Sequence, residues 1–291
     1  MRILVTGASG QLGSYLLREL AAGDWQVVAW SGARSGQLFG VSLQPVDLAD
    51  TNQVATAFRQ VRPTAVIHAA AVATLAECLR DPQRARQVNA HGSAILAVLA
   101  AEVGARLVQV STDLVFDGEK GWYREQDEPA PLSVYGRTKL EAEQAVLAHP
   151  RNAVLRLSLL FGPTLVGRPS FFDQQLAALR EHKPVTLFTD EWRTPLNLCT
   201  AARALVALVR SDFRGLLHLG GPERMSRQEM GLRLAAALQA DPSVIVAKKR
   251  DQVPSAEPRP CDTSLDSSRW RELFPALPWP VWPEALREMG V

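Results

Sequence analysis

A β-rich run, Arg2-Ile3-Leu4-Val5-Thr6, passes directly into Gly7-Ala8-Ser9-Gly10-Gln11-Leu12-Gly13 and then into an apolar pattern of helical period over residues 11–22. Strand, glycine-rich turn and helix in that order constrain this chain more than any other feature. Glycine lets backbone N–H groups approach an anion, and the positive end of the helix dipole then faces it. The spacing is G-x-x-G-x-x-G rather than the commoner G-x-G-x-x-G, and a turn without a ligand is the plainer alternative. The order of elements favours a dinucleotide held by Gly7, Gly10, Gln11, Leu12 and Gly13.

The alternation continues. Short β-forming runs at 27–30, 43–46, 65–68, 107–111 and 154–158 are separated by helical patterns at 11–22, 52–60, 83–103 and 134–148, each long enough to cross over a sheet. This predicts an α/β fold, a doubly wound parallel sheet of Rossmann type, with a smaller interleaved C-terminal substrate lobe. The dinucleotide-binding domain is expected over 1–162, with 194–221 returning to it through a helix at 200–210 and a strand at 215–219. The lobe takes 163–193, around a helix at 171–181, and 222–291, with a helix at 227–238 and a tail rich in tryptophan and proline. Trp270, Trp279 and Trp282 in that tail either form a substrate or dimer surface or pin an irregular segment to the core.

With 32 basic and 30 acidic residues in 291, the net charge of +2 offers no field for nucleic acid or an anionic membrane. Cys78, Cys199 and Cys261 are far apart and form no zinc-ligand pattern, which suits a reducing cytoplasm. No apolar run reaches the roughly 20 residues of a membrane span. A soluble, cytoplasmic protein is expected. Glu125, Asp127 and Glu128 make an acidic cluster, read as a solvated loop, and no catalytic metal is expected.

After the second strand, where an acid would bond the adenosine ribose of NAD, stands Trp30-Ser31-Gly32-Ala33-Arg34. Ser31 and Arg34 suit a 2′-phosphate, which favours NADP(H), with NAD(H) the other candidate; a solvated loop arginine is the alternative for Arg34. Asp47-Leu48 after the third strand either meets the adenine edge or starts a helix. Ala69, Ala70 and Ala71 after the fourth strand leave room for the cofactor, and His68 beside them is read as structural.

Tyr135 and Lys139 lie four apart in Tyr135-Gly136-Arg137-Thr138-Lys139 and so share a helix face. An ammonium near a phenol lowers its pKa from about 10 toward the range of a neutral-pH proton relay. A hydroxyl at Thr112, in Ser111-Thr112-Asp113, can bond the same substrate oxygen. Y-x-x-x-K by itself is common on solvated helices; the cofactor turn and Thr112 give it weight.

With these residues in hand, the chain resembles the extended short-chain dehydrogenase/reductase superfamily and, within it, the dTDP-4-dehydrorhamnose reductase family. Residues 111–118 (STDLVFDG) and 131–140 (PLSVYGRTKL) are close to that family's signatures, and 190–195 (DEWRTP) and 259–266 (RPCDTSLD) are similar to two of its later segments. The resemblance implies an NADP-dependent oxidoreductase acting on a 4-keto sugar nucleotide. Thr112, Tyr135 and Lys139 form its catalytic set: Tyr135 protonates the C4 carbonyl oxygen, Thr112 bonds it, and Lys139 orients the nicotinamide ribose. Tyr135 and Lys139 then also count among the cofactor-binding residues. Thr112, Asp113 and Leu159 are expected at the substrate.

Leu114 stands where the related 4,6-dehydratases carry a carboxylate, which leaves reduction or, as an alternative, epimerisation of a nucleotide sugar. Leu159 stands where the reductases usually carry a tryptophan against the substrate, so specificity is expected to differ. The regulatory subunit of methionine adenosyltransferase resembles the same family, so a non-catalytic NADP-binding subunit is the alternative from another class. A homodimer is a further expectation.

Overall fold

The computed structural model describes residues 1–291. Strands β1 (Arg2–Thr6), β2 (Gln26–Ser31), β3 (Gly36–Leu38), β4 (Val41–Pro45), β5 (Ala65–His68), β6 (Arg106–Thr112) and β7 (Ala153–Leu157) belong to one sheet. Four short strands follow, β8 (Leu160–Phe161), β9 (Val185–Phe188), β10 (Trp192–Arg193) and β11 (Leu196–Asn197), before β12 (Gly215–Leu219) rejoins that sheet. β13 (Met225–Ser226) and β14 (Ile245–Lys248) come last.

The main sheet runs β12-β7-β6-β5-β1-β2-β4-β3, with every neighbouring pair parallel except β3 and β4. From β1 the chain steps first to β2 on one side and later to β5 on the other. Such a reversal opens a crevice at the carboxyl ends of β1 and β5, where doubly wound sheets bind ligands.

Helices α1 (Gln11–Ala21), α2 (Thr51–Val61), α3 (Leu75–Arg80), α4 (Pro82–Arg86), α5 (Gly92–Glu102) and α6 (Val134–Leu147) fall between the first seven strands. Both sheet faces are covered, so the central strands are apolar throughout. Side chains alternate between the faces. Ile3 and Val5 join Leu16 and Leu20 of α1 in one core, while Leu4 and Val66 join Phe58 of α2 and Leu96 of α5 in another. All six strands expected in this half are present, with ends shifted by no more than two residues. β3, a short antiparallel edge strand turning at Phe39-Gly40, was not foreseen. The single helix expected over 83–103 is instead α4 and α5 joined by a π turn, Gln87–His91.

Later helices are α7 (Phe171–Arg180), α8 (Leu198–Arg210), α9 (Arg227–Leu238), α10 (Ser268–Leu273) and α11 (Trp282–Glu288). Leu205 and Leu208 of α8 enter the sheet's first core, as the returning segment was expected to do. A separate core unites Phe161 with Phe172 and Leu176 of α7, Met230 and Leu234 of α9, and Trp282 and Leu286 of α11. Residues 268–279, expected with the lobe, lie on the sheet instead, because Trp270 is buried in its first core and Trp279 Nε1 donates to the Gly220 carbonyl at 2.7 Å. Trp270 and Trp279 thus pin this segment to the sheet, while Trp282 is buried in the lobe core. No helix is long and apolar enough to cross a membrane.

Candidate active site

The turn after β1 is a cradle that only glycine can form. Gly7 has φ +68°, and a Cβ there would sit 2.7 Å from the Ala70 backbone. A Cβ on Gly13 would fall inside contact distance of the Gly7 carbonyl. β1, the strand-end alanines and α1 therefore meet at backbone distance. Gly10 caps α1 with no side-chain hydrogen bond, so the first N–H groups of the helix are left for an outside acceptor.

This cradle is one end of a cleft of about 480 Å³. Gly7, Gly10, Gln11, Leu12 and Gly13 line it, as do Ser31, Asp47, Leu48 and Ala69 to Ala71; Tyr135 and Lys139 stand at the far wall with Leu160. Two segments far apart in sequence, the glycine turn and the tyrosine helix, therefore face one space.

Tyr135 is placed by its helix end. Ser133 caps α6 by accepting from the Gly136 N–H at 3.0 Å, and Gly136 seats the first turn on the Leu114 carbonyl, where a Cβ would collide. Leu114 belongs to the turn that follows Thr112 at the end of β6. Thr112 Oγ1 accepts from the Leu114 N–H at 3.1 Å and donates to Asp113 Oδ1 at 3.2 Å, and it lies near enough to the Tyr135 phenol to lower its pKa. One helical turn on, Lys139 Nζ donates to the Val110 carbonyl at 2.7 Å.

The charges at this site differ from the expectation that Lys139 would lower the tyrosine pKa. Burial holds the Tyr135 phenol above its ordinary value and the nearby Asp113 adds to the rise, while the Thr112 hydroxyl opposes it. Lys139 is instead itself affected, with burial pulling its ammonium down to about 8 against the support of Glu143. The phenol therefore keeps its proton at neutral pH.

Asp113 and Leu159, expected at the substrate, do not line this cleft, and neither does Thr112. Asp113 is buried and bonded to protein on every side: Oδ2 accepts from Thr263 at 2.9 Å and Ser158 at 3.3 Å, with Arg193 Nε at 3.6 Å. It ties the end of β6 to the C-terminal segment. Leu159 packs against the lobe core, and its neighbour Leu160 faces the cleft. Arg34 is exposed and outside the cleft lining; Ser31, by contrast, lines the cleft but spends its hydroxyl on the Arg34 carbonyl.

Asp47 is not the cap of α2; Asp50 is, accepting from Asn52 and Gln53. Asp47 pairs with Arg84 at 2.7 Å, which lowers its pKa. His68 is structural as read, held between Thr6 and Ser93 and pushed down to about 3 by burial. In the acidic stretch, Glu125 accepts from the His218 N–H and Asp127 pairs with Lys120.

Among the cleft residues that escaped the sequence reading is Arg84. Asn89, outside the lining, was missed too: it accepts from the Val72 N–H at 2.8 Å, donates to the Val72 carbonyl at 3.1 Å and to Thr138 at 3.0 Å, and so fastens the strand-end wall to α6. On the lobe side, Arg193 is buried between Asp113 and Glu191, and Arg227 lies 4.0 Å from Glu191. Burial pulls Arg227 down to about 10, Glu191 supports its charge, and Arg193 and Arg259 add to the depression. Arg259 has a buried Nε with no partner.

Comparison with known proteins agrees with this architecture. The chain is 33% identical to methionine adenosyltransferase 2 subunit beta of Pongo abelii, over 94% of this chain and 82% of that protein. It is 32% identical to the probable low-salt glycan biosynthesis reductase Agl14 of Haloferax volcanii, over 92% of this chain and 90% of that one. A crystal structure of a dTDP-4-dehydrorhamnose reductase from Clostridium acetobutylicum superposes with a TM-score of 0.88 at 28% identity, covering 99% of this chain and 98% of that chain. The model of the family described as "RmlD substrate binding domain" matches residues 1–290, and the chain belongs to that family.

Proposed function

We propose that the protein is an NAD(P)H-dependent reductase of a 4-keto sugar nucleotide. The observation that carries this reading is that Tyr135 and Lys139 open on the same cleft as the Gly7 to Gly13 cradle. The cradle fits a dinucleotide, because its backbone approach leaves no room for a Cβ at Gly7 or Gly13 and its helix end is uncapped. Gly7, Gly10, Gln11, Leu12 and Gly13 would hold the pyrophosphate, Ser31, Asp47, Leu48 and Ala69 to Ala71 the adenosine half, and Tyr135 and Lys139 the nicotinamide half. A bound nicotinamide dinucleotide supplies hydride.

The chain's residues supply the rest. Tyr135 gives its phenolic proton to the carbonyl oxygen, and the raised pKa keeps that proton in place until the oxygen becomes basic. Thr112, near the phenol, would hydrogen-bond the same carbonyl oxygen. Lys139 holds a positive charge one turn away, fixed on the Val110 carbonyl. NADP(H) is the preferred cofactor because no carboxylate stands at 30–34 to repel a 2′-phosphate; Arg34, outside the cleft, supplies little of that preference. A nucleotide-borne diphosphate is supported by Arg193, Arg227 and Arg259 gathered beside the catalytic turn. So is likeness to proteins named as reductases.

The test is NADPH oxidation with a panel of nucleotide-linked 4-keto sugars, with Tyr135→Phe as control. Turnover that falls by about 10² to 10⁴ in the variant while NADPH still binds is the expected result. The likeness to methionine adenosyltransferase 2 subunit beta favours a second reading, a non-catalytic regulatory subunit. Tight NADPH binding with no turnover of any member of the panel would decide for it.

A further inference from the structure

At the opposite edge of the sheet, where the parallel strands begin, a cavity of about 190 Å³ is walled by Arg106, Arg151, Arg210 and Arg214, with Asp212 as its one carboxylate. The four arginines come from separate places in the chain: the first residue of β6, the turn before β7, the last residue of α8, and the loop from α8 to β12. None of them forms an ion pair within 4.0 Å, although twelve other arginines of the chain do. In a chain whose formal charge is only +2, four guanidiniums facing one acid is a local excess of cations.

From these observations we infer that the Arg106–Arg151–Arg210–Arg214 cavity is an anion site for a diphosphate group, separate from the candidate active site. Guanidinium groups recognise phosphate oxygens through paired N–H donors, and four of them around so small a space match the charge of pyrophosphate better than that of a monovalent ion.

The environment of Arg106 supports this. It is half-buried, one Nη donates to the Phe213 carbonyl, and its Nε is buried with no acceptor in the protein. Burial lowers its pKa most; Asp212 opposes this, and Arg214 and Arg151 lower it further. Four guanidiniums beside one carboxylate leave like charges uncompensated, which destabilises the folded chain unless an anion joins them. Arg210 is partly engaged already, its guanidinium 5.4 Å from the centre of the Trp25 ring. Arg151 and Arg214 are exposed and free to close on a ligand. The site lies a full strand away from the cleft, about 20 Å at 3.3 Å per residue of β6, so occupants of the two do not touch.

The experiment is calorimetric titration of the full chain with pyrophosphate at fixed ionic strength, repeated with the double variant Arg151→Gln/Arg214→Gln. Both substitutions are at exposed side chains, so the fold is expected to survive, and thermal unfolding checks it. The control is Arg59→Gln/Arg62→Gln, which removes two charges from the neighbouring surface outside the cavity.

Affinity reduced at least tenfold in the first variant and within twofold of the parent in the control supports the site. Equal losses in both variants would mean diffuse surface charge, and an unchanged affinity in the first would place the anion elsewhere, the cleft included; either result overturns the inference. A parallel titration with ADP separates sources of the same chemistry. Loss of both ligands in the first variant supports recognition of a nucleotide-borne diphosphate as well, and loss of pyrophosphate alone restricts the site to the free anion.

Discussion

Gly136 rests directly on the carbonyl of Leu114, so close that a methyl group could not be placed between them. That contact joins the first turn of α6 to the turn after β6, and hence fixes Tyr135 relative to Thr112. If Tyr135 and Thr112 act together as proposed, this contact is the stop that holds them in register.

Gly136→Ala is expected to push the start of α6 away by a few tenths of an ångström to an ångström. The added Cβ would meet the Leu114 backbone and also lie 2.9 Å from Pro131 Cβ. Misplacement on this scale costs about 10²-fold in turnover, with stability lowered by about 1 to 3 kcal/mol from overpacking. Steady-state kinetics and dinucleotide titration separate the effects: kcat should fall while dinucleotide affinity stays within a few-fold. A loss of affinity as large as the loss of kcat would mean that the cleft itself had changed.

Lys139 is expected to make stability depend on pH. Its folded-state pKa, about 8, lies below its ordinary value of about 10.5 because burial disfavours the ammonium. Between these values the unfolded chain holds a proton that the folded one has released, so stability rises with pH across that window. Below about pH 8 both states are protonated and the cost of burying the charge is constant. The rise is bounded by about 3 kcal/mol from the size of the shift. Urea unfolding at pH 7.5 and 10 should show it against Lys139→Met, which lacks it. Turnover, if it uses the ammonium, should decline above about pH 8 in the same interval.

Asn89 offers a third test. Asn89→Leu keeps the volume but leaves the Val72 N–H without a partner and its carbonyl with the weak Cys78 thiol donor alone, at a cost of about 1 to 3 kcal/mol. Val72 and Ala73 line the cleft, so the wall loosens where a cofactor would lie. KM for the dinucleotide should rise more than kcat falls. Urea denaturation supplies the stability change, and an unaltered KM would confine Asn89 to a purely structural role.

What the sequence made legible follows from the range over which its signals act. The strand at Arg2–Thr6, the turn at Gly7 to Gly13 and the pair Tyr135 and Lys139 are local patterns, and periodicity and spacing suffice to place them. The cleft gathers them as the topology of a doubly wound sheet requires. Asp113, in contrast, was expected at the substrate from the family resemblance. Its actual partners, Ser158 and Thr263, are 45 and 150 residues away, and no local pattern announces them. Leu159 was expected at the substrate from the family resemblance; it packs against the lobe core, and its neighbour Leu160 lines the cleft. The fall in the Lys139 pKa likewise depends on burial, which a four-residue spacing does not report.

Cofactor choice can be tested at Gly32. It lines the cleft at the end of β2, its φ is not in the left-handed region, and a Cβ there meets nothing within 4 Å, so a side chain can be introduced without strain. Gly32→Asp would supply the carboxylate that NAD-binding sheets carry near this point: it accepts hydrogen bonds from a ribose 2′-hydroxyl and repels a 2′-phosphate. The ratio of kcat/KM for NADPH to that for NADH should fall by at least tenfold, through a rise in KM for NADPH. Arg34→Ala, outside the cleft, should move the ratio by less than about threefold. If instead Arg34→Ala causes the larger change, the exposed loop from Gly32 to Ser35 folds over the adenosine end when cofactor binds, and Arg34 becomes the residue that reads the 2′-phosphate.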